Sequence, residues 1–370
     1  MQPCVPEPLP ITNLDWHSLI PLIGRANREL ARFDGLLHGI RNPAVLLSPI
    51  TTQEAVLSSR IEGTAATLSD VLQFEAGELF PDEEEKRNDI VEISNYRRSL
   101  RRAEEALRDR PFNLNLMLKL HEVLLDSVRG RDKLPGRFRI NQNWIGIQGA
   151  TLAEASFVPP SPLDLPRLLT EWENYYHADE RDPLVQLAII HAQFEILHPF
   201  NDGNGRIGRI LIPLFLFEKK ILSQPMFYLS AYLEARRSEY IGRLRELGQP
   251  GSWNRWLAFF LEGVATQAAA NAQTARAILA LYERLKHQVI DLTHSQFAVP
   301  LLDHLFARPA TSASDLERQE DMPTLAMVST LLRQLAQAGV LKIARQGQGR
   351  RATIYVLHHL VNLCEGREVF

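Results

Sequence analysis

The chain has 370 residues, a length that predicts two or three domains rather than a single small core. Hydrophobic residues make up 45% of the chain, charged residues 23%, and the formal net charge is -3. This balance is typical of a water-soluble protein. It argues against a dedicated nucleic-acid coat or a disordered tail, although a local basic patch stays compatible with it.

Three further features predict a cytoplasmic protein without a membrane segment. Cys4 and Cys364 lie near opposite ends and form no CxxC pair, which argues against a structural zinc site or a disulfide framework. The first ten residues lack the basic and apolar regions of a signal peptide. The longest apolar run, residues 210–217, is far shorter than the roughly 20 residues that span a bilayer.

Apolar residues recur at helical spacing along most of the chain. The predicted helices cover residues 12–40, 52–62, 82–110, 113–128, 163–177 and 183–197, and further helices up to about 289 include an alanine-rich one over 253–287. One segment has a β pattern instead. Phe138–Ile147 and Ala155–Val158 flank a glycine turn and are followed by prolines, which predicts an exposed hairpin.

A change in composition near residues 290–297 predicts a last domain. Three short helices are predicted there, followed by a strand–turn–strand around Gly347-Gln348-Gly349, the order of a winged helix-turn-helix. The predicted fold is therefore mainly α. We expect a helical N-terminal domain over 1–110, a catalytic core over 111–290 and a winged helix over 291–370.

The central motif follows the helix predicted over 183–197, which has Asp182 as a candidate N-cap and ends at His198-Pro199. The next segment, Asp202-Gly203-Asn204-Gly205-Arg206, leads directly into another helix. Glycines that allow close backbone approach, together with free N–H groups at a helix N-terminus, form an anion-binding nest. Arg206 and Arg209 add two cations beside it.

Two side chains of this motif predict transfer chemistry at the nest. Asp202 is an acidic residue in an otherwise electropositive loop, which makes it a candidate ligand for Mg²⁺ together with phosphate oxygens. His198 can accept a proton from an incoming hydroxyl because the ordinary pKa of histidine lies near neutrality. The combination indicates phosphoryl or nucleotidyl transfer, and the absence of a GxxxxGK[ST] sequence excludes a P-loop NTPase.

The run His198-Pro-Phe-Asn-Asp-Gly-Asn-Gly-Arg-Ile-Gly-Arg209 matches the signature HxFx(D/E)GNGRxxR at every fixed position. The chain thus resembles the Fic family. The resemblance implies a helical Fic-type core, ATP as co-substrate, and transfer of AMP to Ser, Thr or Tyr hydroxyls of a target protein. It implies that His198 is the general base, that Asp202 holds Mg²⁺, and that phosphates are bound by Gly203, Asn204, Gly205, Arg206 and Arg209.

The resemblance extends to two other segments. Residues 139–160 look like the family's flap, which docks the target by strand addition, here through Trp144, Ile145 and Gly146. Tyr240 lies in a region that resembles the part closing around the adenosine, and it is our candidate for a further nucleotide contact. An aromatic residue in a helical protein is also commonly a core residue.

Upstream, Ser58-Ser-Arg-Ile-Glu62-Gly63 fits the family's inhibitory pattern [S/T]xxxE[G/N], within an inhibitory helix expected at about residues 52–63. Ser58 and Glu62 lie on one helix face. We expect Glu62 to pair with Arg209 and thereby to place a carboxylate where a phosphate would bind. The pattern predicts an enzyme that is inhibited by its own Glu62. When this inhibition is relieved, we expect the enzyme to transfer AMP to itself as well.

Other readings of the sequence stay open. His191, Glu195 and His198 have a spacing compatible with a metal triad, although buried polar groups within helix packing explain the first two better. Lys342, Arg345, Arg350 and Arg351, with Arg333, would allow DNA binding through the winged helix, but such modules also serve protein interaction or homodimerisation.

Two alternative functions accompany these readings. In the first, the chain is a DNA-binding regulator whose Fic core senses nucleotide. In the second, it is a bifunctional enzyme that also removes AMP, with Glu62 orienting a water beside a bound metal. The flap sequence does not identify the target protein, because strand addition uses main-chain hydrogen bonds that depend little on side chains.

Overall fold

The computed structural model describes residues 2–40, 42–77, 80, 83–127, 129–146, 151–349 and 351–370. The chain is mainly helical, which confirms the predicted fold class. The helices are α1 Trp16–Gly39, α2 Pro43–Leu46, α3 Ser48–Ile61, α4 Leu68–Glu75, α5 Glu84–Asp109, α6 Leu114–Leu124, α7 Leu165–His177, α8 Pro183–Leu197, α9 Asn204–Glu218, α10 Ser230–Ala235, α11 Arg237–Arg245, α12 Ser252–Thr293, α13 Ala298–Ala307, α14 Ala313–Glu317, α15 Leu325–Gln337 and α16 His358–Glu365. The strands are β1 Ala310–Thr311, β2 Lys342–Arg345 and β3 Ile354–Val356. None of the helices in these ranges is both long and apolar enough to cross a membrane.

The described residues form two compact units, each assembled from three segments. The first comprises residues within Met1–Gly35, Leu57–Gly63 and Ser94–Ala269, and the second those within Leu36–Val56, Thr64–Ile93 and Ala270–Phe370. The division into three sequential domains, with boundaries at 110 and 290, stays a prediction.

In the first unit, α8 packs between α7 and α9 and forms the centre of the core. Nearly every residue of α8 is buried, which explains why its sequence is apolar on all sides. Its ends lie where the sequence predicts them. Asp182 caps the first turn, with its Oδ1 accepting hydrogen bonds from the Leu184 and Val185 N–H groups at 2.9 and 3.1 Å.

The second unit contains a three-stranded antiparallel sheet with strand order β1-β3-β2. Ala310 pairs with Val356 on one side of β3, and Ile343 pairs with Tyr355 on the other. The apolar face of α15 is buried, through Val328, Leu331, Leu332 and Leu335. The three predicted helices and the two strands after them occur in the expected order, β1 and α16 were not predicted, and the assignment of a winged helix stays a prediction.

The hairpin predicted over Phe138–Ile147 and Ala155–Val158 is wrong in its extent. The described residues of these segments pair at one antiparallel bridge, between Ile145 and Phe157, and residues 147–150 lie outside the described part. The Arg139 N–H is bonded elsewhere, to the Pro199 carbonyl at 2.9 Å. On the opposite segment, Pro159 and Pro160 have no N–H to donate, so the ladder cannot continue.

Candidate active site

The predicted base, His198, lies at the C-terminal end of α8. Its N–H still bonds to the Phe194 carbonyl, but its backbone is left-handed, with φ 45° and ψ 59°. This conformation is unfavourable for a residue that has a Cβ, and it persists only where surrounding contacts enforce it. Pro199 accounts for the departure from helical geometry, since the residue before a proline is restricted away from the α region. The histidine therefore lies at a sharp, fixed turn.

The loop between α8 and α9 is closed by Asn204. Its Oδ1 accepts from the Phe200 N–H at 2.8 Å and its Nδ2 donates to the Phe200 carbonyl at 2.9 Å. The side chain is buried, and both polar atoms of its amide bond to the backbone of Phe200 in the same loop. Gly203, at φ 78°, provides the left-handed turn just before α9. A contact of residue 204 with phosphate would therefore come from its backbone, and its role stays a prediction.

Asp202 and Arg206 form a pair at the start of α9. Arg206 Nη2 lies 3.1 Å from Asp202 Oδ1, which also accepts from the Gly203 N–H at 2.5 Å. The arginine is buried, whereas 43% of the aspartate side chain is exposed. Exposure leaves carboxylate oxygen accessible from solvent, as a metal ligand at the edge of a phosphate site requires.

Arg209 contacts both members of the inhibitory pattern. Its Nη2 lies 2.6 Å from Glu62 Oε1 and donates to the Ser58 carbonyl at 2.9 Å, while its Nε donates to Ser58 Oγ at 2.8 Å. Burial acts to raise the pKa of Glu62, but the Arg209 guanidinium outweighs it and the pKa is lowered. The predicted pairing of Glu62 with Arg209 is thus present in the geometry.

The Glu62 carboxylate lies directly against the first turn of α9. A Cβ built at Gly205 would overlap Glu62 Oε1 and come within 2.8 Å of Arg209 Nη1. The missing side chain at residue 205 is what lets a carboxylate approach the backbone there. Because N–H groups at a helix N-terminus attract anions, Glu62 occupies a place suited to a phosphate.

Most of the predicted site residues line one cavity of about 520 Å³ in the first unit. It brings together Glu62, Trp144, Ile145, Gly146, His198, Gly205, Arg209 and Tyr240. Other predicted residues are not on its wall: Ser58, Asp202, Gly203, Asn204 and Arg206 lie behind the wall or beside it. Asp202, Gly203 and Arg206 adjoin His198 and Gly205 in the same loop, whereas Ser58 reaches the site through Arg209.

His198 and Glu195, both on this wall, also have shifted pKa values. Burial, with a smaller contribution from Arg139, lowers the pKa of His198 to about 4, against the opposing effect of Glu62. The imidazole is therefore neutral at pH 7 and able to accept a proton. Burial raises the pKa of Glu195 to about 7. Among the described residues, no group hydrogen-bonds to His198 Nδ1 or to Glu195 Oε1.

Tyr240 lines the cavity but is only 3% exposed. The His191 Nδ1 lies 3.1 Å from the Gly208 carbonyl and so must carry the proton, leaving Nε2 to accept from the Tyr240 hydroxyl at 2.9 Å. This chain of hydrogen bonds satisfies His191 within the core. The predicted contact of Tyr240 with nucleotide would involve its ring, and it stays a prediction.

Three residues outside the predicted set hold this site. Arg139 is buried and donates to the His198 carbonyl at 2.9 Å. His121 stacks on Phe200 at 3.7 Å and its Nε2 donates to the Asp202 carbonyl at 2.9 Å. Arg237 Nε donates to the Ile61 carbonyl at 2.8 Å, next to Glu62 in the chain. The local sequence does not predict these contacts, because the partners are 59, 81 and 176 residues away along the chain.

The basic residues proposed for DNA contact lie in the second unit. Lys342, Arg351 and Arg333 are exposed, and Arg350 lies outside the described residues. Arg345 donates to the carbonyls of Gly77 and Ala352, at 3.3 and 3.1 Å. DNA binding stays a prediction.

Comparison with known proteins gives two family matches in succession. The model described as Fic/DOC family N-terminal matches residues 20–105, and the model described as Fic/DOC family matches residues 111–216. Among curated proteins, a probable protein adenylyltransferase of Aquifex aeolicus is 38% identical over 93 residues, which cover 25% of this chain and 27% of that protein. The protein adenylyltransferase Fic of Drosophila ananassae is 34% identical over 106 residues, covering 27% of this chain and 18% of its own. The similarity thus spans about a quarter or less of these relatives' length.

Solved structures of low sequence identity share the fold. A Fic family protein from Desulfovibrio desulfuricans G20 superimposes with a TM-score of 0.57 at 19% identity, over 96% of this chain and 98% of that one. Residues 134–508 of Fic-1 from C. elegans give a TM-score of 0.52 at 19% identity, over 72% and 74% of the two chains. The family rests on the two family matches, the second of which contains the motif that follows α8: the chain belongs to the Fic/DOC family.

Proposed function

We propose that this protein is an adenylyltransferase that moves AMP from ATP to a Ser, Thr or Tyr hydroxyl of a target protein and of itself. The observation that carries the proposal is the placement of His198, Gly205 and Arg209 on one cavity wall, with the Glu62 carboxylate at the N-terminus of α9. The names of the similar Aquifex and Drosophila proteins agree with this reaction.

In this proposal the first turn of α9 binds the phosphates of ATP. Its backbone N–H groups have no helical partners, and the helix dipole favours negative charge there. Arg206 and Arg209 are buried cations in this turn and the next, so their charge is little screened by solvent. The flap residues Trp144, Ile145 and Gly146 line the same cavity, and an acceptor segment would dock along them.

Asp202 fits a role as the protein ligand of Mg²⁺. Within the described ranges, no three carboxylate, histidine or cysteine side chains are close enough to hold a metal by themselves. Mg²⁺ commonly uses one or two carboxylates together with substrate phosphates and water, and Asp202 offers one half-exposed carboxylate beside the nest. When bound, the ion would neutralise phosphate charge. Asp202 would exchange its contact with Arg206 for the metal, releasing the guanidinium toward phosphate.

The chemical step follows from the state of His198. Its neutral imidazole takes the proton of the acceptor hydroxyl as the hydroxyl oxygen attacks the α-phosphorus of ATP. A bond forms between that oxygen and phosphorus, and the bond to the oxygen bridging the α- and β-phosphates breaks. Pyrophosphate carries away the electron pair. Arg209 and the α9 N-terminus face the negative charge that develops on this leaving group.

Glu62 would hold this reaction in check. Its carboxylate pairs with Arg209 and lies where phosphate oxygens would approach Gly205. A like charge in a partly desolvated site is repulsive, so ATP would be excluded from the productive position. The enzyme would therefore become active when the C-terminal end of α3 is displaced.

The experiment uses purified protein, labelled ATP and Mg²⁺, and then mass spectrometry of the protein and of lysate incubated with it. We expect Glu62→Gly to raise AMP incorporation strongly over wild type, with Glu62→Gln intermediate because it removes the charge and keeps the volume. His198→Ala in the Glu62→Gly background should abolish incorporation. Transfer of a group other than AMP, or of none, would contradict the proposed reaction, and equal incorporation by wild type and Glu62→Gly would contradict the inhibition.

A further inference from the structure

Arg139 is a buried cation that joins four separate points of backbone. Its Nε donates to the His198 carbonyl at 2.9 Å, and its Nη2 donates to the carbonyls of Leu197 at 3.3 Å and Pro160 at 2.5 Å. Its Nη1 donates to the Asn141 carbonyl at 3.4 Å. The side chain is 2% exposed.

These acceptors belong to two structures. Leu197 and His198 provide carbonyls from the last turn of α8, which have no helical partner of their own. Asn141 and Pro160 lie at the two ends of the segment that carries the predicted flap. One planar guanidinium, with its donors in a fixed fork, therefore fastens the base of the flap to the residue that would take the proton.

Burial of this charge is costly because its partners, in the part of the chain that the structure describes, are carbonyl oxygens rather than a carboxylate. Burial lowers the pKa of Arg139 to about 10. The C-terminal end of the α8 dipole offsets part of this cost. A neutral side chain would avoid this cost of burying a charge. Stability alone therefore does not explain an arginine at this position.

That reason lies in the backbone of His198, which is left-handed although histidine is not favoured there. Three contacts hold the following loop to the residues around Arg139. The Arg139 N–H bonds to the Pro199 carbonyl at 2.9 Å, its side chain bonds to the His198 carbonyl, and Asn143 Nδ2 donates to the Phe200 carbonyl at 3.0 Å. Of these, the guanidinium alone contacts carbonyls on both sides of the histidine Cα.

We propose that Arg139 is a positioning residue, which fixes His198 at its left-handed turn and keeps it in register with the flap. This inference rests on the proposed function, since the register matters for an acceptor hydroxyl held by the flap and deprotonated by His198. The guanidinium touches neither nucleotide nor acceptor. Its effect would be on the rate of the chemical step rather than on the binding of ATP.

A purely structural role predicts a different result, and Gln186 provides the matched control. Gln186 is buried on α8, the helix that ends at His198. Its Nε2 donates to the carbonyls of Tyr175 and Ala178 at 2.7 and 2.8 Å, away from the motif loop. Gln186→Leu therefore breaks a comparable set of buried contacts without touching His198. Arg139→Lys keeps the charge but loses the fork.

The first measurement compares these variants in the Glu62→Gly background, with kcat and KM for ATP and the thermal midpoint of unfolding. We expect Arg139→Lys to lower kcat about 100-fold, the size of effect that a small misplacement of a reacting group produces. KM for ATP should stay within about two-fold, since ground-state binding is unchanged. Gln186→Leu should lower the midpoint to a similar degree and leave kcat nearly unchanged. Should the lysine variant unfold, Arg139→Gln, which removes the buried charge, replaces it.

The second measurement needs no activity. Hydrogen exchange of the backbone amides in residues 198–203 should be faster in the Arg139 variant than in its parent, and unchanged in Gln186→Leu. The proposal is overturned if Arg139→Lys keeps both the parent's kcat and its exchange rates, or if Gln186→Leu loses as much kcat. If the Glu62→Gly parent transfers no AMP, the proposed reaction is contradicted. The positioning role is then tested by hydrogen exchange alone, and it is overturned if exchange in residues 198–203 is the same in the Arg139 variant as in the parent.

Discussion

Arg209 and Glu62 are 147 residues apart in the chain and form an ion pair of 2.6 Å at the N-terminus of α9. The same guanidinium also bonds to the side chain and the carbonyl of Ser58. The C-terminal end of α3 thus satisfies a buried cation whose other suitable partner would be a phosphate. In the proposed mechanism this exchange of partners decides whether the enzyme is active.

Ser58→Ala tests the contribution of the hydroxyl to this inhibition. The substitution removes the acceptor for Arg209 Nε but leaves the Ser58 carbonyl and Glu62 in place. A hydrogen bond to a charged group contributes roughly 1.5–3 kcal/mol, so we expect AMP incorporation to rise by about ten-fold to 100-fold. The increase should be smaller than that of Glu62→Gly. Self-modification with labelled ATP measures it, and Ser59→Ala, one residue along the same helix, is the matched control.

Gly205→Ala should block nucleotide binding rather than release the inhibition. The new Cβ would overlap the place of the Glu62 carboxylate, which is also where we place a phosphate. We expect weaker binding of ATP by calorimetry even in the Glu62→Gly background. Gly242→Ala in α11 is the control, because no atom lies within 4 Å of its added Cβ. Normal ATP affinity in Gly205→Ala would show that phosphates bind elsewhere.

The pH dependence of transfer follows from the pKa of His198, which burial lowers to about 4. A general base acts when it is unprotonated, so the rate should be flat from neutrality down to about pH 5 and fall as the pH approaches 4. Removal of Glu62 takes away a negative neighbour and should lower this pKa further. Initial rates of Glu62→Gly between about pH 3.5 and 8 measure it. A fall centred near 6.5 would mean that His198 titrates like an exposed histidine.

Glu195 offers a second titration on the same cavity wall, since burial raises its pKa to about 7. Its carboxyl is protonated below that pH and becomes a charge near Arg209 above it. We expect any change in KM for ATP around neutrality to disappear in Glu195→Gln, which keeps the side chain neutral throughout. If the change persists in this variant, another group on the wall must titrate.

Removal of Mg²⁺ should abolish AMP transfer, and Asp202→Asn should raise the Mg²⁺ concentration needed for half-maximal rate. The carboxylate is 43% exposed, so the substitution should change the unfolding midpoint little. Rates over a range of Mg²⁺ at fixed ATP measure the effect. Asp179→Asn, on the same unit but distant in sequence from the motif, is the control. An unchanged Mg²⁺ requirement in Asp202→Asn would remove the aspartate from the metal site.

The sequence by itself determined the local parts of this protein. The bounds of α8 follow from an N-cap, a proline at each end and an apolar stretch, all within 18 residues. The nest at Gly203–Arg206 follows from glycines directly before a helix. The motif match and the [S/T]xxxE pattern are also local, because each depends on residues at fixed spacing within one short segment. Interactions between residues close along the chain leave periodic or fixed-spacing signals, and these can be read from one sequence.

Only the tertiary structure decided which remote groups meet at this site. Arg139 and His121 hold the motif loop through backbone carbonyls, and a carbonyl acceptor imposes no residue type that a sequence could reveal. The amide of Asn204 turned inward to Phe200 because a buried polar group must be satisfied where the loop closes. The hairpin was overpredicted for the same reason, since the Arg139 N–H bonds to the Pro199 carbonyl and not to the facing segment. Local propensity fixes elements, whereas burial and hydrogen-bond satisfaction across the whole fold select their partners.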